Sequence, residues 1–140
     1  MSTLSPANIT SKAANTPPVI KDLNGTECGQ FCRAWVNFNG TGPSASIRDS
    51  FNVSSVTDNA IGDYTITFTN AVINSNYCTQ ISATDDGTGS NMANGYSYGA
   101  WKRGPNSVVF TTSSARIQLG YPTNTSLYDQ THIMVTVFGS

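Results

Sequence analysis

Apolar and polar residues alternate along much of the chain with a period of two, the spacing typical of β-strands. Two segments show this most clearly, residues 33–38 and residues 63–69. Each predicts a strand with one face buried and the other exposed to solvent. The predicted core faces are Ala34, Val36 and Phe38 in the first segment, and Tyr64, Ile66 and Phe68 in the second, which has three threonines on its other face.

Turn signals follow these strands and predict hairpins. The first strand ends at Asn39-Gly40, the strongest short-range hairpin signal. The run 51–56 leads into residues 58–62, whose Asp, Asn and Gly tolerate the left-handed backbone of a tight reversal. The chain from residue 32 to residue 77 is therefore predicted to form consecutive antiparallel hairpins.

The rest of the chain predicts more strands and little helix. One glutamate and no sustained helical spacing of apolar residues leave a helix with little support. Pro6, Pro17 and Pro18 prevent a regular helix or a central strand near the N-terminus. We therefore predict an all-β, hairpin-rich antiparallel sandwich at 26–140, preceded by an extended anchoring arm at 1–25. Further strands are expected at 77–83, 96–101, 107–112, 115–119 and 132–138.

The hairpin block resembles a domain that recurs at the C-terminal ends of bacteriophage tail-fibre proteins and related prophage proteins. The similarity lies in CRAWVNFNGTG, IRDSFNVSSVTDN, GDYTITFT and SNY, in that order, and covers roughly residues 17 to 80. It implies a β-rich, usually trimeric appendage module, and it brings no agreed catalytic residues. The final sixty or so residues lie outside the resemblance, where such fibres are expected to diverge with host.

Composition predicts a neutral, polar surface. Charged residues make up 11% of the chain, and seven Lys and Arg stand against eight Asp and Glu. Because phosphate binding depends on clustered cations, nucleic acid is disfavoured as a partner. Such a surface is suited to pairing with identical subunits or to binding uncharged sugar hydroxyls. No segment approaches the ~18 apolar residues of a membrane span, so membrane insertion is not expected. The first residues lack the pattern of a secretory signal, which predicts assembly in the host cytoplasm.

The three cysteines and the single histidine are candidate metal ligands, and the cysteines are candidate disulfide partners. Cys28 and Cys32 are spaced unlike the cysteine pairs of zinc sites, so a site made with Cys78 and His132 is disfavoured. We predict free buried thiols, with a Cys28–Cys78 or Cys32–Cys78 bridge as the alternative. His132 is predicted to lie on a strand face. No metal and no cofactor are expected.

Catalytic patterns are weak. One histidine among many serines does not define a triad. Asp85-Asp86 is the only acidic pair, and it precedes Gly87 in a loop, where such residues more often bind the backbone. A glycosidase would need two carboxylates across a scissile bond. We therefore do not predict an enzyme.

The best receptor candidate is an aromatic segment with two cations, since aromatic faces stack on sugar rings and polar groups fix the hydroxyls. The alternative is that these aromatics fill the core or a contact between subunits. A second candidate comprises Tyr121, Tyr128 and the loop 122–126, and Trp35 is predicted to pack in the core or at an interface. The first candidate consists of Tyr96, Tyr98, Trp101, Lys102 and Arg103.

The resemblance implies a structural virion protein, a tail fibre that attaches the phage to its host. The arm would bind baseplate or tail proteins, the β domain would form a homotrimer, and a host-surface glycan is a candidate ligand. The alternative is a capsid decoration or cement protein, and a polysaccharide-cleaving spike is a distant third. The residues predicted to anchor the partner are Pro17, Pro18, Val19 and Ile20.

Overall fold

The computed structural model describes Pro18 and residues 20–84, 99–100, 109–120 and 127–139. Throughout this part of the chain all strand pairings are antiparallel and helix is absent. The fold class predicted from the alternation of apolar residues is therefore confirmed. None of the described residues belongs to a helix able to cross a membrane.

The strands of the described residues are numbered in chain order. They are β1 (Ile20–Lys21), β2 (Glu27–Gly29), β3 (Cys32–Asn39), β4 (Ser46–Phe51), β5 (Val53–Ala60), β6 (Asp63–Phe68), β7 (Cys78–Thr84), β8 (Gly99–Ala100), β9 (Ser114–Gly120) and β10 (His132–Phe138).

Two four-stranded sheets form a sandwich. The first sheet has the order β4-β3-β10-β7, and the second has the order β5-β6-β9-β8. β1 and β2 form a separate two-stranded hairpin. That hairpin spans residue 25, where the sequence predicts the end of the arm, so the extent of the arm stays a prediction.

The core lies between the inner faces of the two sheets. Every second residue of β3 and β6 is buried in it, as the alternation in the sequence predicts. The ring of Phe38 meets that of Tyr64 edge to face, with centroids 5.0 Å apart, which joins the two sheets. The inner faces consist of Ala34, Val36, Phe38, Ile133, Val135 and Val137 in the first sheet, and Tyr64, Ile66, Phe68, Ala115, Ile117 and Leu119 in the second.

Aromatic residues also close one side of the core. Tyr77 packs edge to face on Phe68, with centroids 5.8 Å apart, and its ring centroid lies 5.3 Å from that of Phe110. Its hydroxyl donates to the backbone oxygen of Ser114 at 2.8 Å. Burial raises the pKa of Tyr77 to about 12, so the phenol is neutral at physiological pH.

The two predicted turns differ in their physics. Asn39-Gly40 does begin a hairpin, but the reversal is a loop at 40–45 and not a two-residue turn. Gly40 is buried, and a Cβ there would collide with the Tyr64 hydroxyl and lie 2.8 Å from Cδ1 of Ile133. Gly62, in contrast, adopts φ +64° in the tight turn between β5 and β6. Gly40 is needed for close packing alone. Gly62 is needed both for its backbone conformation and for close packing, since a Cβ there would lie 2.6 Å from the backbone oxygen of Leu119.

One predicted strand is divided between the two sheets. The run 51–56 was expected to be continuous, but β4 ends at Phe51 and β5 begins in the other sheet at Val53. Asn52, between them, has φ 56°. Its Nδ2 donates to the backbone oxygens of Arg33 at 2.9 Å and Asn70 at 3.1 Å. Asparagine tolerates this backbone, and its side chain fixes the crossing between sheets.

The later strands are predicted with mixed success. β7, β9 and β10 lie at or within one residue of the predicted ranges 77–83, 115–119 and 132–138. Of the predicted strand 107–112, the described residues form no strand, and Phe110 makes only an isolated bridge to Ala115. A tight turn replaces it, because the hydroxyl of Thr111 accepts the Ser114 amide at 2.9 Å.

Candidate groove on the outer face of the first sheet

The outer face of the first sheet presents an aromatic side chain flanked by polar ones. Trp35 on β3 is in register with Phe51 on β4 and with Thr136 on β10. Thr136 is in turn in register with Gln80 on β7. Paired residues of an antiparallel sheet lie on the same face, so these four side chains form one row across the sheet.

A second row lies two residues along the strands. Asn37 is in register with Asp49 on β4 and Met134 on β10, and Met134 is in register with Ser82 on β7. A shallow, open groove of about 380 Å³ extends over the parts of both rows that lie on β3, β10 and β7. We call it the outer-face groove. It is lined by Trp35, Val36, Asn37, Gln80, Ser82, Met134, Val135 and Thr136.

The lining of the outer-face groove is mixed and uncharged. None of these eight described residues has an ionisable side chain. Trp35 and Met134 provide a partly exposed apolar surface, and two amides and two hydroxyls surround it. This combination of an aromatic platform with a few convergent polar groups is typical of sites that bind small polar ligands.

One polar atom of the groove has no hydrogen bond. Oδ1 of Asn37 is buried, and it has no hydrogen-bond partner. Buried polar atoms without a partner are rare, because the lost hydration is not replaced. The Asn37 oxygen is therefore an unsatisfied buried acceptor, which costs the fold stability.

Trp35 is not a core residue, contrary to one half of the sequence prediction. The same alternation that buries Ala34, Val36 and Phe38 directs Trp35 and Asn37 to the opposite face. That signal was available in the sequence, and it identifies both residues as surface candidates. The other half of the prediction, packing at an interface, stays a prediction.

The sequence-predicted receptor residues do not fall in this groove. Tyr96, Tyr98, Trp101, Lys102 and Arg103 lie outside the described residues, as do Tyr121, the loop 122–126 and the acidic pair Asp85-Asp86. Tyr128 is described. It packs against the core, and its backbone amide donates to the oxygen of Leu119 at 3.2 Å.

The predicted anchoring residues are only partly described. Pro17 and Val19 lie outside the described residues, and Pro18 is partly buried. Ile20 is 43% exposed and pairs with Gly29 in the β1–β2 hairpin. Its exposed side chain leaves it available to a partner.

The three cysteines are free thiols, but they are not buried as predicted. Cys28 and Cys78 are exposed, and Cys32 is partly buried. Cys32 and Cys78 both pair with Phe138 from opposite sides, so they lie two strands, about 10 Å, apart and outside disulfide range. His132 lies at the other end of β10, about 20 Å away, which rules out a zinc site that combines it with Cys32 and Cys78. In the described ranges no group of three His, Cys, Asp or Glu side chains could hold a metal.

The outer face of the second sheet is built differently. Asp63, only 4% exposed, accepts hydrogen bonds from Nε and Nη2 of Arg116, both at 2.8 Å. Gln118 Nε2 donates to it at 2.7 Å and Asn59 Nδ2 at 3.1 Å. We call these four residues the Asp63 cluster. Burial alone raises the pKa of Asp63, but the bonds from Arg116, Gln118 and Asn59 outweigh it and hold that pKa below its ordinary value. The cluster is structural, because its carboxylate is already fully engaged by donors of the same sheet.

Comparison with known proteins finds no matching family model, no matching curated protein and no matching solved structure. The resemblance to tail-fibre ends therefore stays a prediction, and the groove must be interpreted from its own chemistry.

Proposed function

We propose that this chain is a structural virion protein, the β-sandwich head of a bacteriophage tail fibre, which attaches to the host surface without cleaving it. The observation that supports this proposal best is the outer-face groove. It offers Trp35 and surrounding amides and hydroxyls on a rigid sheet, as an attachment site requires.

The chemistry of the groove favours binding over catalysis. A glycosidase needs two carboxylates on either side of a bond. The described lining of the groove contains no carboxylate, and the nearest row supplies only Asp49, at the edge strand β4. The polar groups present can orient a ligand, but they cannot act as a general acid and base pair.

The scarcity of charge supports assembly from identical subunits. With 11% charged residues, copies of the domain can approach one another with little desolvation of ions. We propose that three copies form the fibre head and that the arm, including Pro17, Pro18, Val19 and Ile20, binds a baseplate or tail protein.

Immunogold labelling of purified virions tests the proposal, using antibodies raised against the isolated chain. We expect gold particles at the tail or baseplate. Labelling of the shell would overturn the fibre in favour of a capsid decoration protein. Intact virions without any label would show that the chain is not a virion component.

A further inference from the structure

We propose that Asn24 is a site of spontaneous deamidation, at which the backbone nitrogen of Gly25 attacks the side-chain amide and releases ammonia, whereas the fold protects Asn39. This inference goes beyond the proposed function and does not depend on it. Both asparagines begin the same tripeptide, Asn-Gly-Thr, at 24–26 and 39–41. A difference in their reactivity therefore reports the structure around them. A further Asn-Gly pair, Asn94-Gly95, lies outside the described residues.

The reaction needs an asparagine followed by a residue whose backbone can approach it closely. The nitrogen of Gly25 loses its proton and bonds to Cγ of Asn24, the bond from Cγ to Nδ2 breaks, and Nδ2 leaves as ammonia. Solvent water then opens the cyclic imide at either carbonyl carbon, which gives aspartate or isoaspartate, and nothing is oxidised or reduced. Glycine permits this approach because it has no Cβ and because its backbone is less restricted than that of other residues.

Asn24 lies in the turn of the β1–β2 hairpin, where both reacting groups have room. The residue is exposed, and its side-chain amide makes no hydrogen bond within the described part of the chain. A Cβ at Gly25 would meet no atom within 4 Å, so the space around this glycine is open. No neighbouring side chain therefore keeps the two groups apart.

The turn holds the attacking nitrogen by local hydrogen bonds alone. The Gly25 amide donates to the backbone oxygen of Asp22 at 3.1 Å. Oδ1 of Asp22 accepts the amides of Asn24 at 2.9 Å and Thr26 at 2.8 Å. These bonds join residues of one exposed turn, so they can open without disturbing the sandwich. The reactive conformation is then reached at a small cost in free energy.

Asn39 is held on both sides of the bond that would form. Its Oδ1 accepts the amide of Thr41 at 3.0 Å and the Thr41 hydroxyl at 2.8 Å, which fixes the side chain. The amide of Gly40, which is buried against the Tyr64 hydroxyl, donates to the backbone oxygen of Gln130 at 2.9 Å. Freeing this nitrogen requires two segments that are distant in the chain to separate, which costs more free energy than opening a turn.

Deamidation would change the hairpin in two ways. A new carboxylate at residue 24 would lie near that of Asp22 and repel it. Isoaspartate would also add a carbon atom to the main chain of the turn, which displaces the amides that Asp22 accepts. Ile20, a predicted anchoring residue, pairs with Gly29 in the same hairpin, so we expect the conversion to loosen that pairing.

Peptide mapping of the full-length chain measures the two rates side by side. The folded chain is incubated in mildly alkaline buffer, and samples are denatured and digested with trypsin, which separates the two asparagines by cleaving after Arg33. Mass spectrometry gives the deamidated fraction at each site, and enzymatic methylation identifies isoaspartate, which forms only through the imide. We expect Asn24 to deamidate about tenfold faster than Asn39 or more, because only the turn opens readily.

The same incubation in concentrated guanidinium chloride is the matched control, since it removes the fold and keeps both tripeptides. We expect the two rates to agree within about threefold in the unfolded chain. Asn24→Gln is the control for the assignment of the site. Glutamine closes the larger ring far more slowly, so deamidation of the peptide 22–33 should fall to background.

Three outcomes would contradict the inference. Equal rates at Asn24 and Asn39 in the folded chain would show that the fold does not protect Asn39. An Asn24 that stays unconverted in the folded chain while it reacts in denaturant would show that the bonds of the turn suppress the reaction. A preference for Asn24 that is just as large in denaturant would assign the difference to the preceding residues, Leu23 and Phe38, and not to the structure.

Discussion

The outer faces of the two sheets both carry amide side chains, but their polar groups differ in hydrogen bonding. On the second sheet, the carboxylate of Asp63 accepts bonds from Arg116, Gln118 and Asn59, all at 2.7–3.1 Å. On the first sheet, Oδ1 of Asn37 is buried beside Trp35 and has no partner. One face satisfies its polar groups by itself, whereas the other leaves an acceptor unsatisfied.

This difference separates a polar cluster that stabilises the fold from a buried polar atom that costs it stability. A satisfied buried polar network rigidifies a protein, and replacing one member leaves its partners unpaired. An unsatisfied group costs stability unless a ligand pairs with it, and such costs are often found at functional sites. We infer that the Asp63 cluster supports the fold and that the buried oxygen of Asn37 weakens it.

The largest expected effect is loss of the Asp63 carboxylate. Asp63→Asn removes the bidentate ion pair with Arg116 and leaves one donor of the cluster unpaired. We expect the free energy of unfolding to fall by about 2–3 kcal/mol, measured by urea denaturation. Asp49→Asn on the first sheet is the control. It keeps an acceptor for the Ser50 amide, so a change within about 0.5 kcal/mol is expected. Equal effects in the two variants would remove the contrast between the faces.

The same carboxylate predicts a dependence of stability on acid. The pKa of Asp63 is lowered in the folded state below its ordinary value of 3.8. Between the two pKa values the unfolded chain binds more protons, so the contribution of Asp63 is fully present above the ordinary pKa and is lost as pH falls through the lowered one. The difference in unfolding free energy between the parent and Asp63→Asn should therefore shrink below about pH 4. A difference that is constant from neutral pH to pH 2 would show that Asp63 is not stabilised as a carboxylate.

The sequence predicts the core of this fold better than the point at which the chain passes from one sheet to the other. Alternation in β3 and β6 is enough to identify six core residues, because a strand with one apolar face packs with that face toward the core. The division of the run 51–56 at Asn52 could not be predicted in this way. It depends on a positive φ and on bonds to Arg33 and Asn70, which are distant in sequence.

The groove could be predicted only in part. Alternation places Trp35 and Asn37 on the outer face of β3, and the same rule places Met134 and Thr136 on that of β10. That these strands are neighbours follows from the order β4-β3-β10-β7, in which β10 lies between β3 and β7. Such a long-range pairing has no local signal in the sequence, so the residues could be assigned to a face but not to one site.

The smallest expected changes in the free energy of unfolding have opposite signs on the two faces. Asn37→Leu and Gln118→Leu each replace an outer-face amide with an aliphatic side chain of similar size. Gln118 donates to Asp63 at 2.7 Å, so its loss should lower the free energy of unfolding by about 1–2 kcal/mol.

Asn37→Leu removes a buried acceptor that has no partner, and leucine is at least as favourable as asparagine in a strand, so stability should rise by about 0.5–1 kcal/mol. Urea denaturation of the two variants beside the parent measures both changes. A clear loss of stability in Asn37→Leu would mean that the amide of Asn37 is satisfied within the folded chain. The outer face of the first sheet would then be a structural surface of the same kind as the Asp63 cluster.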